Sequence, residues 1–308
     1  MKYFSLASGC SLQVLWMAVC LQAGLSQMMA FGTFPGDSKW GADQVGTPAT
    51  VTWSLILEGT GTSPEFQSLG YWGGTSELNR VFYSLEGYAS NAFSLPYDSG
   101  TTYALGQTIF RTALENAFDA WSDVANVTFV EVADSGLALG HTGTPQGGAI
   151  RIGAYDLTGA TGSSPYYNAG AWGFEPPNGT SAFANLAATE QVTSLFGDMT
   201  LNSAGFFFSS ADGDYSAFAP NEIQNILSHE IGHALGLIHT ADPAAIMNPG
   251  RSVLNLALGA DDIAGVQYLY GAAVPEPFMP GLLGMAAGVY LMGRRRSRLV
   301  WTGGSAME

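Results

Sequence analysis

Apolar residues recur at spacings of three and four over 109–124. Phe110, Ala113, Leu114, Ala117, Phe118, Trp121 and Val124 form one stripe, which predicts an amphipathic helix with one buried side. Residues 48–57 (PATVTWSLIL) are β-branched and partly alternating, which predicts a strand. Further strands are predicted at 127–132 (VTFVEV) and 149–155 (AIRIGAY), with an edge strand at 169–174 (AGAWGF) and another segment at 197–208 (GDMTLNSAGFFF). A second helix is expected from after Pro220 to about Leu235, with Asn221 as its cap and Ile223, Ile226, Leu227 and Ala234 as its buried side. A last helix covers 261–270. Asp261 and Asp262 meet the positive end of its dipole and Gly271 follows its end. Residues 59–108 are rich in Gly, Ser, Thr and Tyr, lack a clear period apart from a short helix around 76–86, and read as a long insertion. Residues 27–46 read as a polar, Gly-rich lead-in.

Both ends have the pattern of targeting segments. Lys2 precedes the apolar run 11–25, which is short for a bilayer span, and Gly24 and Ser26 suit cleavage after Ser26. Residues 1–26 are expected to be a signal peptide, with a retained membrane anchor as the alternative. At the other end, Val274-Pro275-Glu276-Pro277 leads into the apolar run 278–293 and then into Arg294, Arg295, Arg296 and Arg298. An apolar run with arginines behind it stops in a membrane with the arginines in the cytoplasm. This order resembles the PEP-CTERM sorting tail. The resemblance implies an exosortase-type partner that processes 274–298 and a place in the envelope or matrix of a Gram-negative cell. Residues 299–308 extend beyond the usual end of such tails, and a plain C-terminal anchor is the alternative. Either way the domain between, 47–273, faces outward.

Composition supports export. Hydrophobic residues are 47% of the 308 and charged residues only 11%. The formal net charge is -15, and four of the ten basic residues lie in the tail. The acidic body is poorly suited to nucleic acid or anionic lipid. Cys10 and Cys20 both fall in the signal segment, so the domain has neither a disulfide framework nor a thiolate ligand.

The chemistry concentrates at 229–239, HEIGHALGLIH, which holds three of the four histidines. Residues four apart share a helix face, so His229 and His233 can point at one metal. Glu230 is placed to reach a water rather than the metal. Gly236 permits a backbone turn that brings His239 round as third ligand. Three nitrogens with an open fourth position describe a catalytic zinc, with Glu230 as general base.

This pattern resembles the metzincins. Met247, eight residues after His239 in AAIMNP, resembles the Met-turn at the spacing of the matrixin branch, the matrix metalloproteinases. The segments FRTALENAFDAWSDVANVTFVEV and LGADDIAGVQYLYG are similar to matrixin text as well. The resemblance implies an α+β fold: a twisted mixed sheet, an active-site helix and a small C-terminal subdomain. It implies a zinc metalloendopeptidase acting on extracellular or surface proteins, with no nucleic-acid partner and membrane contact only through the tail. Ala171, Trp172 and Pro249 would line the substrate cleft. No second zinc is expected, because Thr200 stands where such a ligand would sit. Calcium is a candidate ion through Asp198, Asp212 and Asp214, the last two also reading as a solvated turn. The alternative function is a non-catalytic surface or matrix binding protein on a protease-like fold.

Overall fold

A computed structural model describes residues 31–68, 71–90, 97–141, 148–157, 171–173, 196–203, 220–249 and 255–274. The signal segment, residues 275–308 of the tail, and Asp212 and Asp214 lie outside the described residues. Five strands form one sheet: β1 (Ala49–Leu55), β2 (Val127–Glu131), β3 (Ile150–Tyr155), β4 (Ala171–Gly173) and β5 (Met199–Asn202). Their order is β2-β1-β3-β5-β4. The first three pairings are parallel, and β4 runs antiparallel to β5 with Trp172 opposite Thr200. The mixed α+β architecture expected from the sequence is the one observed.

The helices are α1 (Pro64–Ser68), α2 (Leu78–Ser90), α3 (Ala104–Ser122), α4 (Pro220–Ala234) and α5 (Ala260–Tyr270). The predicted stripe of α3 is buried from Phe110 to Trp121. It packs with Ile223, Ile226, Leu227 and Ile231 of α4 and with Val51, Trp53, Ile150, Ile152, Met199 and Leu201 of the sheet. The Trp53 and Phe118 rings lie 5.2 Å apart. Trp121 also spends its polar handle on the neighbouring helix, donating from Nε1 to the Ser228 carbonyl at 3.0 Å. That bond ties the core to the residue just before His229.

Two helix starts and the role of one segment differ from expectation for physical reasons. Helix α3 starts at Ala104 rather than 109, because its first amides find a cap outside their own segment. Leu105 N–H and Gly106 N–H donate to Oε2 of Glu86 on α2, at 3.1 and 3.3 Å. Helix α4 begins on Pro220, whose missing N–H costs nothing in a first turn, so Asn221 lies inside the helix and is not its cap. Within 59–108, α1 and α2 bury Phe66, Val81, Phe82 and Leu85, and Phe82 meets Phe110 edge-on at 5.5 Å. The segment is therefore part of the core.

The outer face of β3 is polar and equally buried. Arg151 donates to both oxygens of Asp134 at 2.8 and 3.0 Å and to the Leu137 carbonyl at 2.8 Å. Both partners of this pair are 1% exposed.

Candidate metal centre

Helix α4 carries His229 and His233 one turn apart, and the chain then reverses at Gly236. Leu237 N–H donates to Gly232 O and Gly236 N–H to His233 O, both at 2.9 Å. This is a Schellman closure with Gly236 at its left-handed position, φ +109°. A side chain there would also collide with the Ser38 carbonyl. The reversal returns His239 to the other two histidines.

The Nε2 atoms of His229 and His239 are 3.2 Å apart, and those of His233 and His239 are also 3.2 Å apart. Ligand atoms of all three lie within 4.8 Å of one another. Among the described residues this is the one group of three or more His, Cys, Asp or Glu side chains able to hold a metal ion. The tautomers follow from the partners, since a carbonyl can only accept. His229 Nδ1–H donates to Ile246 O at 2.7 Å and His233 Nδ1–H to Leu237 O at 2.8 Å. Both Nε2 atoms therefore present lone pairs to His239. One proton on His239 could satisfy only one of them, whereas a cation satisfies all three. A tetrahedral zinc ~2.0–2.1 Å from each nitrogen would space them about 3.3 Å apart, so the residues fit zinc. Desolvation, aided by the charge on His229, pushes the His233 pKa down to about 3. Desolvation also lowers that of His239. Neutral imidazole, the ligating form, is favoured at both.

Glu230 follows His229 on α4 and is buried, 7% exposed. Met247, 2% exposed, packs against Gly232 of the same helix. Its sulfur sits where a Cβ on Gly232 would fall, so the glycine inside HEIGH gives the Met-turn its place. The turn is held by Asp262 of α5, which accepts Ile246 N–H at 2.6 Å, Met247 N–H at 3.1 Å and Gly259 N–H at 2.8 Å. Asp261 accepts the Thr240 hydroxyl at 2.5 Å. Sequence reasoning assigns these two aspartates to the helix dipole and misses their grip on the turn. An acidic pair opening a helix after a Met-turn is the only signal of it in the sequence.

Ala171 and Trp172 lie on β4, the edge strand, as expected. Pro249 is exposed two residues past Met247. Asp198, the calcium candidate, is 1% exposed and accepts Arg151 N–H through Oδ1 at 2.9 Å. Burial pushes its carboxyl up to about 8, against the opposing pull of Arg151.

The Matrixin family model matches residues 166–271. The chain is 30% identical over 220 residues to matrix metalloproteinase-16 of Mus musculus, covering 67% of this chain and 32% of that protein. It is 28% identical over 183 residues to neutrophil collagenase of Homo sapiens, covering 58% and 32%. It is 53% identical over 55 residues to macrophage metalloelastase of Oryctolagus cuniculus, covering 17% and 11%. The chain thus spans about a third of the length of the first of these relatives. With the sheet, the active-site helix and the histidine cluster, these matches make the fold that of a matrixin-like metzincin catalytic domain.

Proposed function

We propose that the protein is an exported zinc metalloendopeptidase that hydrolyses peptide bonds of extracellular or surface proteins. The observation that carries this reading is the convergence of the Nε2 atoms of His229, His233 and His239, with the buried Glu230 next to His229 on the same helix. Zinc held by His229, His233 and His239 would polarise the scissile carbonyl and lower the pKa of an attacking water toward ~7. Glu230 takes one proton from that water as its oxygen bonds to the carbonyl carbon. It would then deliver that proton to the leaving nitrogen as the C–N bond breaks, leaving a carboxylic acid and an amine, which settle as carboxylate and ammonium. Strand β4, with Ala171 and Trp172, offers an edge on which a substrate backbone can add as a strand, and Pro249 walls the pocket beyond the scissile bond. Met247 serves as the floor of the site.

Export and tail processing belong to the same reading and rest on the composition of 1–26 and 274–298. No helix among the described residues is long and apolar enough to cross a membrane.

Zinc content and casein hydrolysis, measured on the native chain and on Glu230→Ala, test it. The expected outcome is one zinc per chain in both forms, with turnover falling by about a thousandfold in the variant. Zinc without activity in either form would favour a binding protein on a protease-like fold. A folded chain without zinc would end the assignment.

A further inference from the structure

Each helix-borne imidazole is aimed by a single peptide group. For His229 this is the 246–247 peptide: its carbonyl accepts the ring Nδ1–H at 2.7 Å and its N–H donates to Asp262 at 3.1 Å. For His233 it is the 237–238 peptide: its carbonyl accepts the ring Nδ1–H at 2.8 Å. Its N–H, on Ile238, donates to the carbonyl of Gly32 at 3.0 Å. We infer that the segment Phe31–Phe34 is a positioning element of the metal centre, with the Gly32 carbonyl doing for His233 what the Asp262 carboxylate does for His229. The inference rests on the zinc reading above.

The segment is built for this task at close range. Thr33 pairs antiparallel with Leu237, and Phe34 N–H donates to Gly236 O at 3.0 Å. The Phe34 ring lies 6.1 Å from that of His233. A Cβ on Gly32 would fall 2.5 Å from Ile238 Cγ1, so the bare backbone is what lets the carbonyl approach. The far end of the strap is pinned to the same helix. Trp40 Nε1–H donates to Ala234 O at 2.7 Å, and Trp40 N–H to the Tyr270 hydroxyl, which itself donates to Leu235 O at 2.8 Å. Lys39, 0% exposed, gives its ammonium protons to the Trp40 and Ala42 carbonyls and the Thr47 hydroxyl. A ligand imidazole whose outer partner is fixed keeps its tautomer and direction without further ordering on metal binding.

A matched pair of backbone esters in the full chain tests the inference. An ester at Thr33 turns the Gly32 carbonyl into a weaker, ester acceptor and leaves the 237–238 peptide that holds His233 chemically intact. An ester at Phe34 deletes an N–H of the same strap that anchors the 236–237 peptide, which holds no imidazole. Zinc affinity is read by competition with a chromophoric chelator, and the melting of the zinc-free protein is read alongside. The Thr33 ester is expected to raise the zinc Kd about fivefold, the Phe34 ester less than about twofold, with both melting alike. Equal zinc affinities, or equal losses, would overturn the positioning role and reduce the strap to a structural tie. An unmodified chain that binds no zinc would sink the zinc reading itself, and this inference with it.

Discussion

Two polar clusters, one half-open and one buried, lie on opposite sides of the core, and they solve the same electrostatic problem differently. On the helix side, His229, His233 and His239 direct neutral nitrogens at one point. One proton cannot satisfy all three of those nitrogens, whereas a cation from outside could. On the outer face of the sheet, Asp134, Arg151 and Asp198 are more deeply buried but carry their own cation. Arg151 is held charged by its hydrogen bonds to Asp134 and the fields of both aspartates, although burial opposes this. Asp134 is kept ionised by Arg151, Gly136 and Ser54 despite its own desolvation. The difference separates a site that binds from a site that braces. Convergent donors without a matching charge mark the first, and a bidentate pair marks the second.

The sharpest way to break this comparison is to remove one member from each cluster. His233→Ala should weaken zinc binding by more than the ten- to hundredfold usual for a lost outer partner, checked by competition against a chromophoric chelator. The apo fold should be little affected. Arg151→Met should leave zinc affinity alone and cost about 3–5 kcal/mol in urea unfolding, because the ionised Asp134 then loses its buried counter-charge. If Arg151→Met abolished zinc binding in a folded protein, the two clusters would not be independent.

A smaller effect sharpens the contrast through pH. The folded carboxyl of Asp198 is pushed up to about 8, above the ~3.9 of an unfolded aspartate. The native state therefore binds the extra proton between those values. This contribution to stability is full below about pH 4 and is lost as pH rises toward 8, by up to ~1 kcal/mol per pH unit. Asp198→Asn should flatten that part of the stability curve between pH 5 and 8, read by denaturant midpoints across the range. A calcium ligand would behave oppositely, with the variant losing stability only when calcium is present. The least effect should come from a calcium-selective chelator: the melting temperature should not move beyond error, whereas zinc removal should abolish hydrolysis.

Much of this molecule is legible in its amino-acid sequence. The stripe from Phe110 to Trp121 announces α3, since burial at helical spacing is a local property of sequence. The spacing of His229, Glu230, His233 and His239 announces the metal centre, because a helix and one glycine turn place all four. Strand existence at β1, β2 and β3 follows from β-branched runs. The start of α3 is hidden, because the amides of Leu105 and Gly106 are capped by Glu86 from another helix. The worth of residues 31–46 is hidden as well. Their polar, Gly-rich text gives no period, and their role comes from backbone pairing with 236–238.

The metal ligands, the candidate base and the elements that carry them follow from the chain's own text, because they depend on spacings of ten residues or fewer. What aims the ligands, and what fills the polar space on the sheet, is settled by the packing of distant segments. The Gly32 carbonyl meets Ile238, Asp262 meets the Met-turn, and Arg151 meets Asp198 between residues far apart in the chain. Hydrogen bonds between distant backbone groups leave no mark on composition or period, so they appear only once the chain is folded.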